Sequence, residues 1–261
     1  MKRYRLAGVA VLVAAILTMP RGSAATPVPP PSGWAVLIEY DSYRGRYPDL
    51  AVGYVNSGRI LDALMRRGWP PDHILLIRDS PDGGVLRHAT AWLAERVRPG
   101  DTALLYVSGE YQFFVGDLSW NTTFRRLWRR IMTSRRVLIV ETCFAERLTA
   151  ATAGIPGLAL PAVGRDELDW WGFHDTARVI EGGSFTYFLA RAVESQSGDT
   201  LDFAEAFGTA VAGAQEYFRT VVAAMPAALN SFHTRGSYPE RLSTFPNPRL
   251  VRGTENATTD R

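Results

Sequence analysis

Residues 102–110 read TALLYVSGE and residues 136–145 read RVLIVETCFA. Each opens on an unbroken apolar run with no polar residue at alternate positions, the pattern of a strand covered on both faces. Each run then stops on small or polar residues, Ser108-Gly109-Glu110 in the first and Glu141-Thr142-Cys143 in the second. Outward from this pair, further strands are predicted over residues 34–40, 73–78 and 158–163, with a last one between 241 and 251. Stretches of helical period separate them: 50–67, closed by Gly68; 85–97, closed by Pro99-Gly100; 122–132; 184–194; and 200–224, opened by a cap at Asp199. Buried strands alternating with helices predict an α/β fold, a three-layer α/β/α sandwich on a mainly parallel sheet of about six strands. Ligands of such sheets sit at the carboxyl ends of the strands. That edge would carry Asp41, Gly109, Glu110, Cys143 and the loop around His174.

The flanks read differently. Basic Lys2, Arg3 and Arg5, an apolar run over residues 6–17 and the small residues Gly22-Ser23-Ala24-Ala25 form a secretory signal, too short in its apolar part for a ~20-residue membrane span. Residues 1–25 are therefore expected to be a signal peptide cut near Ala24 or Ala25. A Pro-rich linker follows over 26–32, the folded domain over 33–252 and a disordered polar tail over 253–261. The expected location is secreted or periplasmic, with no stable membrane span once the signal is removed.

The formal charge of +3 belongs to that leader. Residues 1–25 carry four of the 29 Lys and Arg and none of the 26 Asp and Glu, leaving 25 against 26. Nucleic acid is thus not an expected partner. Arg125-Arg126 and Arg129-Arg130 read as the polar side of an amphipathic helix, since Leu127 and Trp128 interleave them. No HExxH, Cys/His cluster or GxxxxGK[ST] loop is present, so neither a metal nor another cofactor is expected. One cysteine excludes an internal disulfide. The sequons at Asn121 and Asn256 matter only in a host that glycosylates exported proteins.

The two quoted stretches resemble the active-site strands of caspase-fold cysteine peptidases, the group of caspases, metacaspases and legumains. There the third strand ends in Ser-Gly-His-Gly or Asp-His-Gly, and the fourth in Asp/Glu-x-Cys. Residues 68–74, GWPPDHI, are similar to the Gly-x-Pro-x-x-x-Ile that leads into the second strand of legumains. Residues 183–188, GSFTYF, resemble the segment opening the helix after the fifth strand. The resemblance implies a cysteine nucleophile at Cys143 and a peptide or protein as substrate or partner. It also implies a histidine where this chain has Glu110, and a glycine where it has Tyr111. His174 is the histidine expected at the correct edge and would be the substitute base. Asp41, Gly109, Tyr111 and Glu141 would line the substrate cleft. Arg44 and Arg46 follow the first strand, where several relatives bind an acidic side chain, but the local match is poor and no Asp or Asn preference is expected.

A thiol of pKa ~8.5 is about 3% ionised at pH 7, and a neighbouring carboxylate lowers that fraction, roughly tenfold for each unit of upward shift. Glu110 is also a poor proton shuttle at neutral pH. Three readings stay open: a pseudo-peptidase whose cleft binds peptide or protein, an active endopeptidase or transpeptidase using Cys143 with His174, and a structural domain with an inert cysteine. The sequence leaves the oligomeric state open.

Overall fold

In a computed structural model of the chain, residues 32–45, 47, 49–50, 53–172, 180–198, 200–224, 231–232, 241–242 and 245–253 are described. The signal segment, most of the linker, the tail beyond Gly253, Arg46, His174, Asp199, His233 and Asn256 lie outside them.

Strands β1 (Gly33–Glu39), β2 (Ile74–Arg78), β3 (Thr102–Ser108), β4 (Arg135–Glu141) and β5 (Gly157–Pro161) pair in parallel. Short pairs follow, β6 (Trp171–Gly172) with β7 (Gly182–Gly183) and β8 (Ser231–Phe232) with β9 (Arg241–Leu242). Strand β10 (Val251–Gly253) closes the main sheet by running antiparallel to β5, giving the order β10-β5-β4-β3-β1-β2. The chain is thus an α/β protein with a mixed, mostly parallel six-stranded sheet.

Successive side chains of a strand point to opposite faces, and both faces here are apolar. Val36, Ile38, Leu105, Val107, Leu138 and Val140 face α2 (Val85–Arg96) and α4 (Trp120–Trp128). Ala35, Leu37, Leu104, Tyr106, Val137 and Ile139 face α1 (Val55–Arg66), α6 (Ser184–Ser195) and α7 (Phe203–Thr220). Two shorter helices, α3 (Tyr111–Gly116) and α5 (Ala145–Thr149), follow β3 and β4. On α4, Trp120, Phe124 and Trp128 recur every four residues on one buried face and stack at 4.1 and 5.4 Å. The amphipathic reading of that segment has this physical basis, and its arginines occupy the other side.

Several predicted bounds move. Leu50, Gly53 and Tyr54 are not helical: Leu50 N–H is tied to the Asp41 carbonyl, and Gly53 and Tyr54 take positive φ, so α1 starts at Val55. The segment after β3, expected as a loop and then one helix over 122–132, is two helices, α3 and α4, parted where Ser119 takes φ 50°. The long last helix is capped by Asp202, whose carboxylate accepts from the Ala204 and Glu205 amides, and spans Phe203–Thr220 rather than 200–224. Cys143 is the second residue past β4.

Candidate functional site

The parallel register sets Glu39, Ser108 and Glu141 side by side at the carboxyl ends of β1, β3 and β4. All three are fully buried. Neither α1 nor α6 has a side-chain cap at its own first residue; the strand-end acids do that work from across the fold. Glu39 accepts from the Asn56 and Ser57 amides at 3.3 and 2.7 Å in the first turn of α1. Glu141 accepts from the Thr186 amide and hydroxyl at 2.8 and 2.6 Å in the first turn of α6. A carboxylate is favoured there by free N–H groups and by the helix dipole. Asn56 completes the layer, donating to Ser108 Oγ at 3.2 Å and accepting from Gly183 N–H at 2.9 Å. A Cβ on Gly183 would collide with the Glu141 carboxylate, which explains a glycine there. Burial pushes both carboxyls above the ordinary carboxylate range, and the charge of Asp169 pushes Glu141 further.

Cys143 lies just beyond this layer. Phe144 takes φ 57° and donates its amide to the Glu167 carbonyl at 2.8 Å, so the chain turns sharply into α5. Cys143 is buried, 8% exposed. Its thiol is pushed well above the ordinary 9.0, first by burial, then by the charge of Glu110 and that of Asp169; backbone hydrogen bonds from Asp169 and from its own amide act in the opposite direction. Thiol and acid therefore share one electrostatic environment. Glu110 is itself 8% exposed and precedes α3. Its amide donates to Tyr43 Oη at 2.7 Å, and that hydroxyl donates to the Tyr40 carbonyl at 2.9 Å. Gly109 makes the approach possible: at φ 148°, a Cβ there would lie 2.7 Å from Tyr43 Oη.

The residues that follow the acid and the thiol meet. Tyr111 and Phe144 contact edge-to-face at 5.3 Å, and the Arg147 guanidinium lies 4.8 Å from the Phe144 ring centre and 6.0 Å from that of Tyr111. Asp166 and the Arg165 carbonyl hold Arg147 at 2.6 and 2.8 Å. A side chain thus stands where the resemblance implies a bare glycine backbone.

The remaining sequence candidates fall elsewhere. Asp41 closes the β1–α1 loop, accepting from Gly53 N–H at 3.1 Å on its side chain and from Leu50 N–H on its carbonyl. Glu141 is inside the fold at α6 rather than on an open wall. Arg44 lines a separate cleft of about 390 Å³ with Tyr40, Asp79, Asp82, Phe113 and Asp117. Of the two described histidines, His73 stacks on Trp34 at 3.6 Å at the amino edge of the sheet, and His88 is exposed on α2. Neither is among the groups that act on the Cys143 thiol. Among the described residues, no group of His, Cys, Asp and Glu could hold a metal ion.

Sequence reasoning passed over Tyr43, Asn56, Asp169 and Thr186. The signal for Thr186 was in hand, because it lies in the GSFTYF stretch. Asp169 stands beside Trp170 and Trp171, and an acid among aromatics is a marker of burial with a partner.

No family model matches this chain, and no curated protein matches it. Among solved structures it is similar to that of pro-sf-caspase-1, with a TM-score of 0.50 and 10% sequence identity, over 85% of this chain and 91% of that one. At that identity the likeness is one of fold, and the α/β sandwich described above is caspase-like.

Proposed function

We propose that the chain is an exported, caspase- and legumain-like cysteine peptidase homologue in which Cys143 no longer acts as a nucleophile, and that its carboxyl edge binds a peptide or protein. The observation that carries this reading is the thiol's surroundings. A working cysteine needs a cationic neighbour or a base to hold it as thiolate. Cys143 instead is buried between the charges of Glu110 and Asp169, which push its pKa up. A thiol at 9.0 is only about 1% ionised at pH 7, and every further unit costs another factor of ten. The Tyr111–Phe144 contact, with Arg147 stacked over it, further supports the loss of chemistry, since it fills the turn where an oxyanion would need open backbone donors. Export is the reading of residues 1–25, with cleavage near Ala24 or Ala25.

The test is peptide hydrolysis by the purified protein on a mixed-sequence library, with Cys143→Ala alongside. The expected result is no cleavage that depends on Cys143, together with saturable peptide binding that the Cys143→Ala variant retains and Tyr111→Ala weakens. Cleavage that vanishes in Cys143→Ala would overturn the proposal and favour a hydrolase using Cys143 with His174. A gain of cleavage in the double variant Glu110→His with Tyr111→Gly would confirm that the missing base is what silences the scaffold.

A further inference from the structure

At the opposite, amino edge of the sheet the chain presents a different surface. Residues 129–136, RRIMTSRR, run from the end of α4 into β4. Alternate anchors hold the turn still. Ile131 is fully buried. Thr133 donates its hydroxyl to the Asp101 carbonyl at 2.6 Å, and buried Arg136 donates to the Pro156 carbonyl at 3.1 Å and to that of Ile131. Between the anchors, Arg129, Arg130, Met132 and Arg135 project into solvent, and Met132, at 65% exposure, is the most exposed of the large hydrophobics among the described residues. Arg135 and Arg136 share a cleft of about 520 Å³ with Arg252 of β10. Asp202, on the same cleft, is engaged in capping α7, and Asp101 is buried and accepts from the Ser32 and Arg98 amides.

The chain enters the fold at this edge. Ser32, the first described residue, accepts from Thr102 N–H at 2.8 Å, and the register aligns Gly33, Thr102 and Arg135. Until the leader is cut near Ala24 or Ala25, the apolar run over residues 6–17 is joined to this edge by about 14 residues, a reach of at most roughly 50 Å; after the cut, the basic edge itself carries the attraction. An exposed methionine on a turn that also exposes Arg129, Arg130 and Arg135 suits a layer of anionic headgroups over an apolar interior, where each basic residue near the surface adds to the attraction.

We infer that this amino edge, built on Arg129, Arg130, Met132, Arg135 and Arg252, is a docking surface for an anionic membrane. It holds the domain with the carboxyl edge, and Cys143, facing away from the lipid. The inference is independent of whether Cys143 is active.

The test uses the full chain with an environment-sensitive fluorophore on Met132→Cys in a Cys143→Ser background. Vesicles of phosphatidylglycerol should shift the emission to the blue, and phosphatidylcholine vesicles should not, although residues 6–17 can associate with both. Each of Arg129→Ala, Arg130→Ala, Arg135→Ala and Arg252→Ala should weaken the anionic response about fivefold, and added salt should weaken it in all. No shift on anionic vesicles, an equal shift on neutral ones, or an equal response to soluble polyglutamate would overturn the inference.

Discussion

Two neighbouring clusters at the carboxyl edge treat their acids in opposite ways. In the polar layer under α1 and α6, Glu39 and Glu141 each accept hydrogen bonds from a helix start, so the buried carboxyls hold strands and helices together. One turn further on, Glu110 and Asp169 crowd a buried thiol with like charge and oppose its ionisation. The first arrangement ties α1 and α6 to the sheet. The second is the reverse of what thiolate chemistry needs. Residues that keep a fold and residues that keep a reaction can lie a few positions apart and diverge independently.

The sharpest way to break that contrast is to truncate one buried side chain in each cluster. Glu141→Ala strips α6 of its cap and leaves the Thr186 amide and hydroxyl buried without their acceptor; a loss of about 3 kcal/mol is expected in urea unfolding. Cys143→Ala, two residues away, should cost no more than about 1 kcal/mol, because a buried free cysteine behaves as a small hydrophobe. Equal costs would erase the distinction.

Gly109→Ala comes next, with an expected loss of about 2 kcal/mol from backbone strain and from displacement of Tyr43. Thermal melting would read it, and near-ultraviolet circular dichroism would follow the Tyr40–Tyr43 contact.

Acidity provides a third measurement. Burial holds the native Glu39 and Glu141 carboxyls above their ordinary 4.5. The native state then keeps protons that the unfolded chain has already released, so stability falls as pH rises from about 4.5 through the raised native values. Melting temperatures across pH 4.5–8 should show that decline, and Glu141→Gln should flatten it.

The smallest effect belongs to the turn beside the thiol. Arg147→Ala removes a partly exposed cation–π contact with Phe144 and should cost about 0.5 kcal/mol, legible in the same unfolding titration.

The central strands were legible because both faces are covered, which leaves continuous apolar runs at 103–107 and 137–140 that no surface strand would carry. Their alignment and the carboxyl edge followed from parallel topology. Less could be read where tertiary contacts override local pattern. Helices α3 and α5, at six and five residues, are too short for a periodic signal. The cap expected at Asp199 is supplied by Asp202, three residues on, a shift that local pattern does not signal. A glutamate at a strand end looks like a cleft residue, and only the position of α6 turns Glu141 into an internal cap. The juxtaposition of Asp169 with Cys143 joins segments that sequence spacing does not relate.

The most direct test of the account is the rate at which an iodoacetamide probe alkylates Cys143 in the folded protein between pH 6 and 10, with Glu110→Gln alongside. Slow labelling is expected, with an apparent pKa above 9 that moves down when the Glu110 charge is removed. An apparent pKa well below that of a free thiol, unmoved by Glu110→Gln, would contradict it.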